Sequence, residues 1–219
     1  MKTSLLPATT LATAFLLAAC GQSNAPSPTT AAPAVAEQPT VEPTVQAVDT
    51  FLDAIRQHCG RAYVGRIIAD QPPPNGDDPF VGKSLIMHVR SCDDAELRIP
   101  FHVGEDRSRT WVLTRTQTGL RLKHDHRHED GSPDATTLYG GDTASAGTTS
   151  RQEFPVDAES IALFEAEGRN VSTTNTWAME IEPGKRFLYE LSRPGGRLFQ
   201  VEFDLTQPID PPPAPWGAE

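Results

Sequence analysis

The chain has 219 residues, a formal net charge of −10 and a pI of about 5.0; 37% of its residues are hydrophobic and 20 are proline. This length suits one folded domain with appendages, or at most two small domains. The acidic balance offers no basic surface for nucleic acid, because a negative field opposes binding to a phosphate backbone. We therefore expect no nucleic-acid partner.

The N-terminus has the organisation of a secretory signal. Lys2 provides a short positive region, and residues 11–19 form an apolar run that ends in small residues before Cys20. This run is much shorter than the roughly 20 residues of a membrane-spanning helix. The segment Leu17-Ala18-Ala19-Cys20 resembles the lipobox of bacterial lipoproteins, and Gly21 follows it.

The lipobox resemblance implies a membrane-anchored protein. Residues 1–19 would be the signal peptide, and cleavage would leave Cys20 with a diacylglyceryl group on its sulfur and an acyl chain such as palmitate on its amino terminus. Several acyl chains exceed the two signals that stable membrane attachment needs. Gly21, in place of Asp, implies the outer membrane, so we expect a lipid-anchored cell-envelope protein that faces the periplasm. The alternative is an ordinary signal peptide with an incidental cysteine.

Residues 20–44 comprise the lipidated cysteine and a linker. Between residues 22 and 40 the sequence is mostly Ala, Pro, Ser and Thr, with very few large apolar side chains. Because such a composition cannot bury a core, we predict a disordered tether that holds the folded domain away from the lipid surface.

An amphipathic helix is predicted at the start of the folded domain, which we place at residues 45–207. Pro43 suits a helix start, and Gly60 suits the position just past a helix end. The apolar residues that recur at helical spacing between them are Val48, Phe51, Leu52 and Ile55. The end of this helix would carry Cys59 towards the first strand.

Cys59 and Cys92 are the two cysteines that remain if Cys20 is lipidated. Two cysteines allow one pairing, and a cell-envelope compartment is oxidising enough for a disulfide to persist. Closing a loop of this length would stabilise the fold by roughly 3–4 kcal/mol in the chain-entropy model. The alternative is a pair of unpaired buried thiols; a metal or catalytic role is less in keeping with the absence of a Cys-x-x-Cys spacing.

Beyond Gly60, apolar residues alternate with polar residues, which is typical of β-strands with one buried face. Gly- and Pro-containing turns divide this region into about eight to nine strands, and Asp157 could cap a short second helix that runs to about Phe164. Short connections between so many strands predict a mainly β domain, an antiparallel meander that forms a barrel or a sandwich. Residues 208–219 are predicted to be a disordered Pro-rich tail.

A helix leading into Gly60-Arg61-Ala62-Tyr63-Val64-Gly65, followed by successive hairpins, resembles the start of a calycin-type barrel of the lipocalin or fatty-acid-binding class. Tyr63 stands at the position of the lipocalin tryptophan. The segments 108–111 and 122–127 also resemble a group of secreted bacterial proteins of uncharacterised function. The first resemblance implies a barrel, and the second implies no particular activity.

Two histidines fall on the polar face of a predicted hairpin. In the strands around residues 84–92 and 97–103 the odd-numbered residues are apolar, and His88 and His102 occupy the other face. A register that keeps both apolar sets together places His88 opposite either His102 or Pro100. The first register would create an outward-facing histidine pair, which we interpret as part of a solvated sheet surface rather than a set of ligands.

Three of the six histidines of the chain, His124, His126 and His128, alternate along one predicted strand. A two-residue turn at residues 118–119 would place Trp111 opposite His126. All three histidines would then continue the apolar face of the hairpin and lie inside the barrel or at its mouth.

This histidine strand is a candidate metal site. Imidazole nitrogens suit zinc, copper, nickel or iron, and His124, His126 and His128 could each donate one to a divalent transition metal. An acidic residue between positions 129 and 134 could complete the set or orient an imidazole. The alternative is a polar rim of the sheet, paired with its acidic neighbours.

The same strand could instead line a small-ligand site. In this interpretation Trp111, His124, His126 and His128 contact a small apolar or amphipathic molecule, which the apolar interior buries and the polar groups orient. The competing interpretation is that the large aromatic residues simply fill the core, as in small closed barrels. These residues are Trp111, Trp177, Phe187 and Phe203.

The sequence does not demand an enzyme. It contains no Gly-x-Ser-x-Gly elbow, no Walker-type loop and no Gly-x-Gly-x-x-Gly after a strand, so no catalytic residue is assigned. The predicted function is therefore that of a lipid-anchored envelope protein whose β domain binds a small ligand or an envelope partner. The alternative is a metal-binding protein or a metal-dependent hydrolase that uses His124, His126 and His128.

Overall fold

The computed structural model describes residues 43–73 and 78–218. The predicted signal peptide, the lipidation site Cys20 and the tether up to residue 42 lie outside these ranges. Within them, no helix has both the length and the apolar character that a membrane crossing requires.

In the described residues, two α-helices and one 3-10 helix accompany the sheet. Helix α1 spans Pro43–Arg56 and buries its apolar stripe in the core, as predicted. Helix α2 spans Ala158–Ala166 and begins at the predicted cap, Asp157, whose carboxylate accepts a hydrogen bond from the backbone N–H of Ser160 at 2.8 Å. The 3-10 helix spans Asn170–Thr174.

Eleven strands of the part of the chain that the structure describes make up one antiparallel sheet. They are β1 (Ala62–Gln71), β2 (Leu85–His88), β3 (Ser91–Cys92), β4 (Glu96–Val103), β5 (Asp106–Arg115), β6 (Leu120–His126), β7 (Tyr139–Asp142), β8 (Arg151–Pro155), β9 (Thr176–Glu182), β10 (Arg186–Arg193) and β11 (Arg197–Ile209). Ten of them follow the order β7-β6-β5-β4-β2-β1-β11-β10-β9-β8, and the short β3 pairs with β4. The prediction of a mainly β antiparallel meander is confirmed, and the meander forms a nearly closed barrel.

The barrel approaches closure because the edge strands β7 and β8 come together. The backbone N–H of Asp157, two residues after β8, donates to the carbonyl of Gly140 in β7 at 2.9 Å. The Ser160 hydroxyl in α2 accepts from the N–H of Gly140 at 2.8 Å and donates to its carbonyl at 3.1 Å. Gly141 admits no side chain, since an added Cβ would overlap the carbonyl of Pro155. Helix α2 thus fastens the two edges.

The core fills the barrel interior with side chains from alternate strand positions. Gly65 in β1 permits a close contact with β11, because an added Cβ would lie 2.5 Å from the ring of Phe203. The β1–β11 register also shifts between Tyr63 and Gly65. Phe187 and Phe203 are fully buried in this part of the core.

The hairpin registers refine the two histidine predictions. Ile86 lies opposite His102 in the β2–β4 pair, which is the register that aligns His88 with Pro100 rather than with His102. In the β5–β6 pair, Trp111 lies opposite His124. The predicted register, which paired Trp111 with His126, is therefore wrong by two residues. The loop between β5 and β6 has four residues instead of two, and a shift of two residues keeps the paired side chains of β6 on their predicted faces.

Cys59 and Cys92 form a disulfide, with their Cα atoms 6.3 Å apart. This separation is ordinary for a disulfide. The bond joins the turn after α1 to β3, and Gly60 in that turn has a φ of +77°, a conformation that suits glycine. The predicted pairing is confirmed.

The C-terminal segment differs from the predicted disordered tail. Strand β11 runs to Ile209, and residues 210–218 then pack across the outer surface near β4 and β5. The backbone N–H of Trp216 donates to the carbonyl of Arg107 at 3.1 Å, and the Arg107 guanidinium donates to the carbonyl of Ala214 at 2.9 Å. The prolines of this segment have no backbone N–H but keep their carbonyls, and the Arg107 side chain binds one carbonyl of the segment.

The two outward-facing histidines are buried, and residues of the tail lie beside one of them. His88 and His102 are 6% and 3% exposed, which makes the prediction of a solvated face wrong for these two residues. His102 lines an outer cavity of about 490 Å³ together with Pro212 and Trp216 of the tail. Burial, with a smaller contribution from Arg107, lowers the pKa of His102 to about 4.

Candidate functional site

A second cavity, which we call the barrel cavity, opens at the end of the barrel where β5 begins and β6 ends. Its volume is about 360 Å³, which lies within the usual range for small-molecule sites. The residues that line it are Phe80, Phe101, Arg109, Trp111, His124, His126, Asp134, Thr136, Tyr139, Phe164, Arg169, Ser172, Asn175, Trp177, Tyr189, Leu191, Arg193, Arg197 and Phe199. The cavity therefore gathers the central residues of the predicted site.

Trp111 forms the centre of the cavity floor. Its ring stacks on Tyr189 at a centroid distance of 4.4 Å and on Phe101 at 4.8 Å, with interplanar angles of 21° and 14°. Phe187 and Phe203 lie behind it, with ring centroids 6.3 Å and 6.2 Å away. The aromatic residues thus divide into two sets, because Trp111 and Trp177 line the cavity whereas Phe187 and Phe203 fill the core.

His124 is buried and fully hydrogen-bonded. Its Nδ1 lies 3.1 Å from the carbonyl oxygen of Tyr139, and its Nε2 lies 2.8 Å from the hydroxyl of Tyr189. A carbonyl only accepts, so Nδ1 carries the proton and Nε2 accepts from the tyrosine hydroxyl. Burial, with a smaller contribution from His126, lowers the pKa of His124 to about 3. The imidazole is therefore neutral at pH 7 and has no free nitrogen for a metal.

His126 is the last residue of β6, and its Nε2 is 3.1 Å from the hydroxyl of Tyr139. Burial, and then the positive charge of Arg109, lower the pKa of His126 to about 4. Burial also raises the pKa of Tyr139 to about 12. Both groups are consequently uncharged near neutral pH and present hydrogen-bonding groups without a net charge.

His128 does not join the other two histidines. Strand β6 ends at His126, and the chain turns, so that the backbone N–H of His128 donates to the carbonyl of Ser132 at 2.8 Å. The His128 side chain is 57% exposed, and its Nε2 lies 4.0 Å from a carboxylate oxygen of Asp134. The predicted placement of all three histidines on one inner face is therefore wrong for His128, because the strand stops before it.

The geometry does not support the metal hypothesis. In residues 43–73 and 78–218, no group of three or more His, Cys, Asp or Glu side chains is arranged to hold a metal ion. Of the acidic residues predicted to assist, Asp134 lines the cavity, whereas Glu129 and Asp130 are exposed. Two of the three predicted ligands, His124 and His126, serve instead as hydrogen-bond partners of tyrosines.

Four arginines line the mouth of the barrel cavity, and the sequence did not single them out. Arg109 pairs with Asp106 and lies over the ring of Phe80, and Arg197 pairs with Asp70. The other two are Arg169 and Arg193. All four lie at strand ends or beside turns, where the sequence alone predicts a solvent-exposed arginine. They come together at one cavity because the barrel closes.

The lining of the cavity combines aromatic surfaces with polar and charged groups. Its two imidazoles are bonded to phenol or carbonyl oxygens, and no hydrogen bond in the described part of the chain joins a histidine ring to a serine, threonine or cysteine side chain. Aromatic walls can bury an apolar body, while the arginines and neutral polar groups can orient it.

Comparison with known proteins returns no family model, no curated protein and no solved structure that matches the chain. The resemblance to calycin barrels is one of architecture, in the antiparallel barrel-like sheet that follows an N-terminal helix. The site is consequently assigned from its own geometry.

Proposed function

We propose that this protein is a lipid-anchored component of the bacterial cell envelope whose β domain binds a small molecule in the barrel cavity. The observation that carries the binding function is a cavity of about 360 Å³ at one end of a barrel whose other end is filled by side chains. A packed barrel without a ligand has no need for such a space, because protein interiors are ordinarily filled to near-crystalline density.

The size and position of the barrel cavity favour a small molecule over a segment of an envelope partner. The space lies between Trp111 on the floor and the arginines at the mouth, so an occupant is surrounded by walls on several sides. Small-molecule sites have this enclosed form, whereas protein partners ordinarily bind flatter surfaces of several hundred Å² per side.

The cell-envelope location rests on the sequence before residue 43 and on the disulfide. Cys20 follows an apolar run in a lipobox-like segment, which supports lipidation at that residue. The Cys59–Cys92 bond supports an oxidising compartment, because disulfides persist in secreted and envelope proteins and are rare in the cytosol. These two features agree with each other.

The anchor is tested by substitution of Cys20 with Ser. We expect this variant to lose its lipid and to move from the membrane fraction to a soluble fraction of bacterial cells, as followed by fractionation and mass spectrometry. Ser23→Ala, a similarly small substitution outside the lipobox, is the control and is expected to remain anchored. Retention of Cys20→Ser in the membrane would contradict the anchor.

The ligand is sought in protein purified from cells without denaturation. Native mass spectrometry is expected to find a non-covalent small molecule that the variant Ser172→Trp lacks, because Ser172 lines the cavity and a tryptophan there would fill its mouth. Val171→Trp is the matched control, since its neighbour Val171 is 70% exposed and does not line the cavity. Equal retention in both variants would refute the barrel cavity as the binding site.

A further inference from the structure

The barrel cavity holds enough chemical detail to name a ligand class, and this inference rests on the proposed ligand-binding function. We propose that the ligand is a planar aromatic anion, whose rings stack within the cavity and whose carboxylate, phosphate or sulfonate group binds at Arg193 and Arg169.

The walls of the cavity select for aromatic rings. Two of the three tryptophans and two of the three tyrosines of the chain line it, together with four phenylalanines. Leu191 is the single aliphatic side chain among the described lining residues. A site for a long alkyl chain would present mainly aliphatic groups, whereas ring-on-ring contacts add roughly 0.5–1.5 kcal/mol each beyond simple burial.

The existing contacts already show flat surfaces at the spacing of stacked rings. The Trp111 and Tyr189 rings stack at 4.4 Å, and His124 and Tyr139 stack at 4.7 Å with an interplanar angle of 11°. The two stacks are adjacent, because Trp111 lies opposite His124 in the β5–β6 pair and the Tyr189 hydroxyl is 2.8 Å from Nε2 of His124. A planar molecule packed against this continuous set of rings would extend it.

The mouth of the cavity has an excess of positive charge. Asp106 and Asp70 neutralise two of the four lining arginines, and Asp134 is the one carboxylate among the described lining residues. No carboxylate of the described chain lies within 4.0 Å of Arg169 or Arg193, although the net charge of the whole protein is −10. These two guanidinium groups, which have no carboxylate partner in the described residues, can bind an anion at the mouth of the cavity.

The Arg193 side chain is fixed by one hydrogen bond and keeps donors for a ligand. Its Nε donates to the side-chain oxygen of Asn175 at 2.5 Å, which leaves the terminal nitrogens without a partner in the described residues. Burial, and then the neighbouring Arg197, lower the pKa of Arg193, so its charge is disfavoured where it stands and an anion would relieve that cost. The planar donors of a guanidinium match a carboxylate or phosphate in two parallel hydrogen bonds.

Asp134 sets the direction in which the ligand lies. One of its carboxylate oxygens accepts from the backbone N–H of Thr136 at 2.7 Å, and its charge acts on the nearby His126 and Tyr139. An anionic group would be repelled by this carboxylate. The anion is therefore expected at Arg193 and Arg169, which have no carboxylate partner in the described residues, with the rings towards Trp111.

The inference is tested with two dyes of the same aromatic skeleton. The first, 8-anilinonaphthalene-1-sulfonate, carries an anionic group; the second, N-phenyl-1-naphthylamine, lacks it. Fluorescence titration of the full mature chain, made soluble by Cys20→Ser, is expected to show at least about tenfold tighter binding of the sulfonate. Ser172→Trp should abolish binding of both dyes, which places them in the barrel cavity.

The arginines are tested by the double variant Arg169→Gln/Arg193→Gln. We expect it to weaken sulfonate binding by about tenfold or more and to leave binding of the neutral dye unchanged, which also shows that the variant is folded. Arg66→Gln/Arg121→Gln is the matched control, because it removes the same charge from exposed residues outside the cavity lining and should change neither affinity. Asp134→Asn is expected to tighten the sulfonate several-fold.

The outcomes separate the inference from the proposed function. If both dyes bind in the cavity with equal affinity, or if the double arginine variant loses them equally, the anion preference is overturned while ligand binding stands. If neither dye binds, or if Ser172→Trp retains both, the barrel cavity is not a binding site and the proposed function falls with the inference.

Discussion

The hydroxyl of Tyr189 and the Nε2 atom of His124 are 2.8 Å apart, although 65 residues separate them in the chain. Their hydrogen bond joins β10 to β6 across the barrel interior, and the bond from Nδ1 to the carbonyl of Tyr139 extends the link to β7. His124, one of the three predicted metal ligands, is thus a neutral hydrogen-bonded link between strands.

This cross-link predicts a large loss of stability on truncation of His124. We expect His124→Ala to lower the free energy of unfolding by roughly 2–4 kcal/mol, because it removes buried contacts and two hydrogen bonds. His128→Ala should change it by less than about 0.5 kcal/mol, since that side chain is exposed. Urea unfolding followed by circular dichroism measures both, and equal effects of the two substitutions would argue against the cross-link.

The partner hydroxyl gives a subtler prediction. Tyr189→Phe keeps the stacked ring but leaves the buried Nε2 of His124 without a donor, at a cost of roughly 1–3 kcal/mol. The same measurement on His124→Phe/Tyr189→Phe should show a smaller loss than the sum of the single variants, since neither remaining group then lacks a partner. Additive losses would show that the two side chains do not interact.

Stability should depend on pH through the two cavity histidines. Their pKa values are lowered to about 3 and about 4, from about 6.5 in an unfolded chain, so between these limits the unfolded state binds more protons than the folded state. The neutral histidines therefore contribute stability that is complete above pH 6.5 and is lost as the pH falls towards 3.

A comparison of variants isolates this contribution from that of the carboxylates. From pH 7 to pH 5 the natural chain is expected to lose on the order of 1–2 kcal/mol more per histidine than His124→Phe/His126→Phe does, as measured by urea unfolding at each pH. Identical pH profiles for the two chains would mean that the folded histidines titrate as they do in the unfolded chain.

Reduction of the disulfide should destabilise the domain. Cys59 and Cys92 are separated by 33 positions, so Cys59→Ser/Cys92→Ser is expected to lower the free energy of unfolding by roughly 3–4 kcal/mol in the chain-entropy model. A reducing agent should destabilise the natural chain to a similar degree and leave the double variant unaffected. Non-reducing peptide mapping provides the direct check, and free thiols at both positions would disprove the bond.

The C-terminal segment should protect the outer surface of the barrel. Removal of residues 210–219 takes away the contacts of Trp216 and Ala214 with Arg107, so we expect faster amide hydrogen exchange near Arg107 and about 1–2 kcal/mol less stability. Substitution of the exposed Pro211 with Ala is the control and should leave exchange unchanged. Unaltered exchange after truncation would mean that the segment does not cover this surface.

The sequence by itself determined most of the secondary structure and the disulfide of the protein. Alternation of apolar residues identified the strands, Asp157 marked the second helix, and two available cysteines implied one pairing. Parity alone placed His124 and His126 on the inner face, because a period of two fixes the face of every residue in a strand. Registers that differ by two residues place the same side chains on the same face, so alternation cannot distinguish them. For this reason Trp111 was assigned to the wrong partner.

Only the tertiary structure decided what the site contains. The end of β6 at His126, which turns His128 outwards, depends on the hydrogen bonds of the following turn rather than on alternation. Arg109, Arg169 and Arg193 come from distant segments and meet because the barrel closes. Pairings between distant residues arise from the packing of the whole sheet, so a local pattern can show which way a side chain points but not which side chains it will meet.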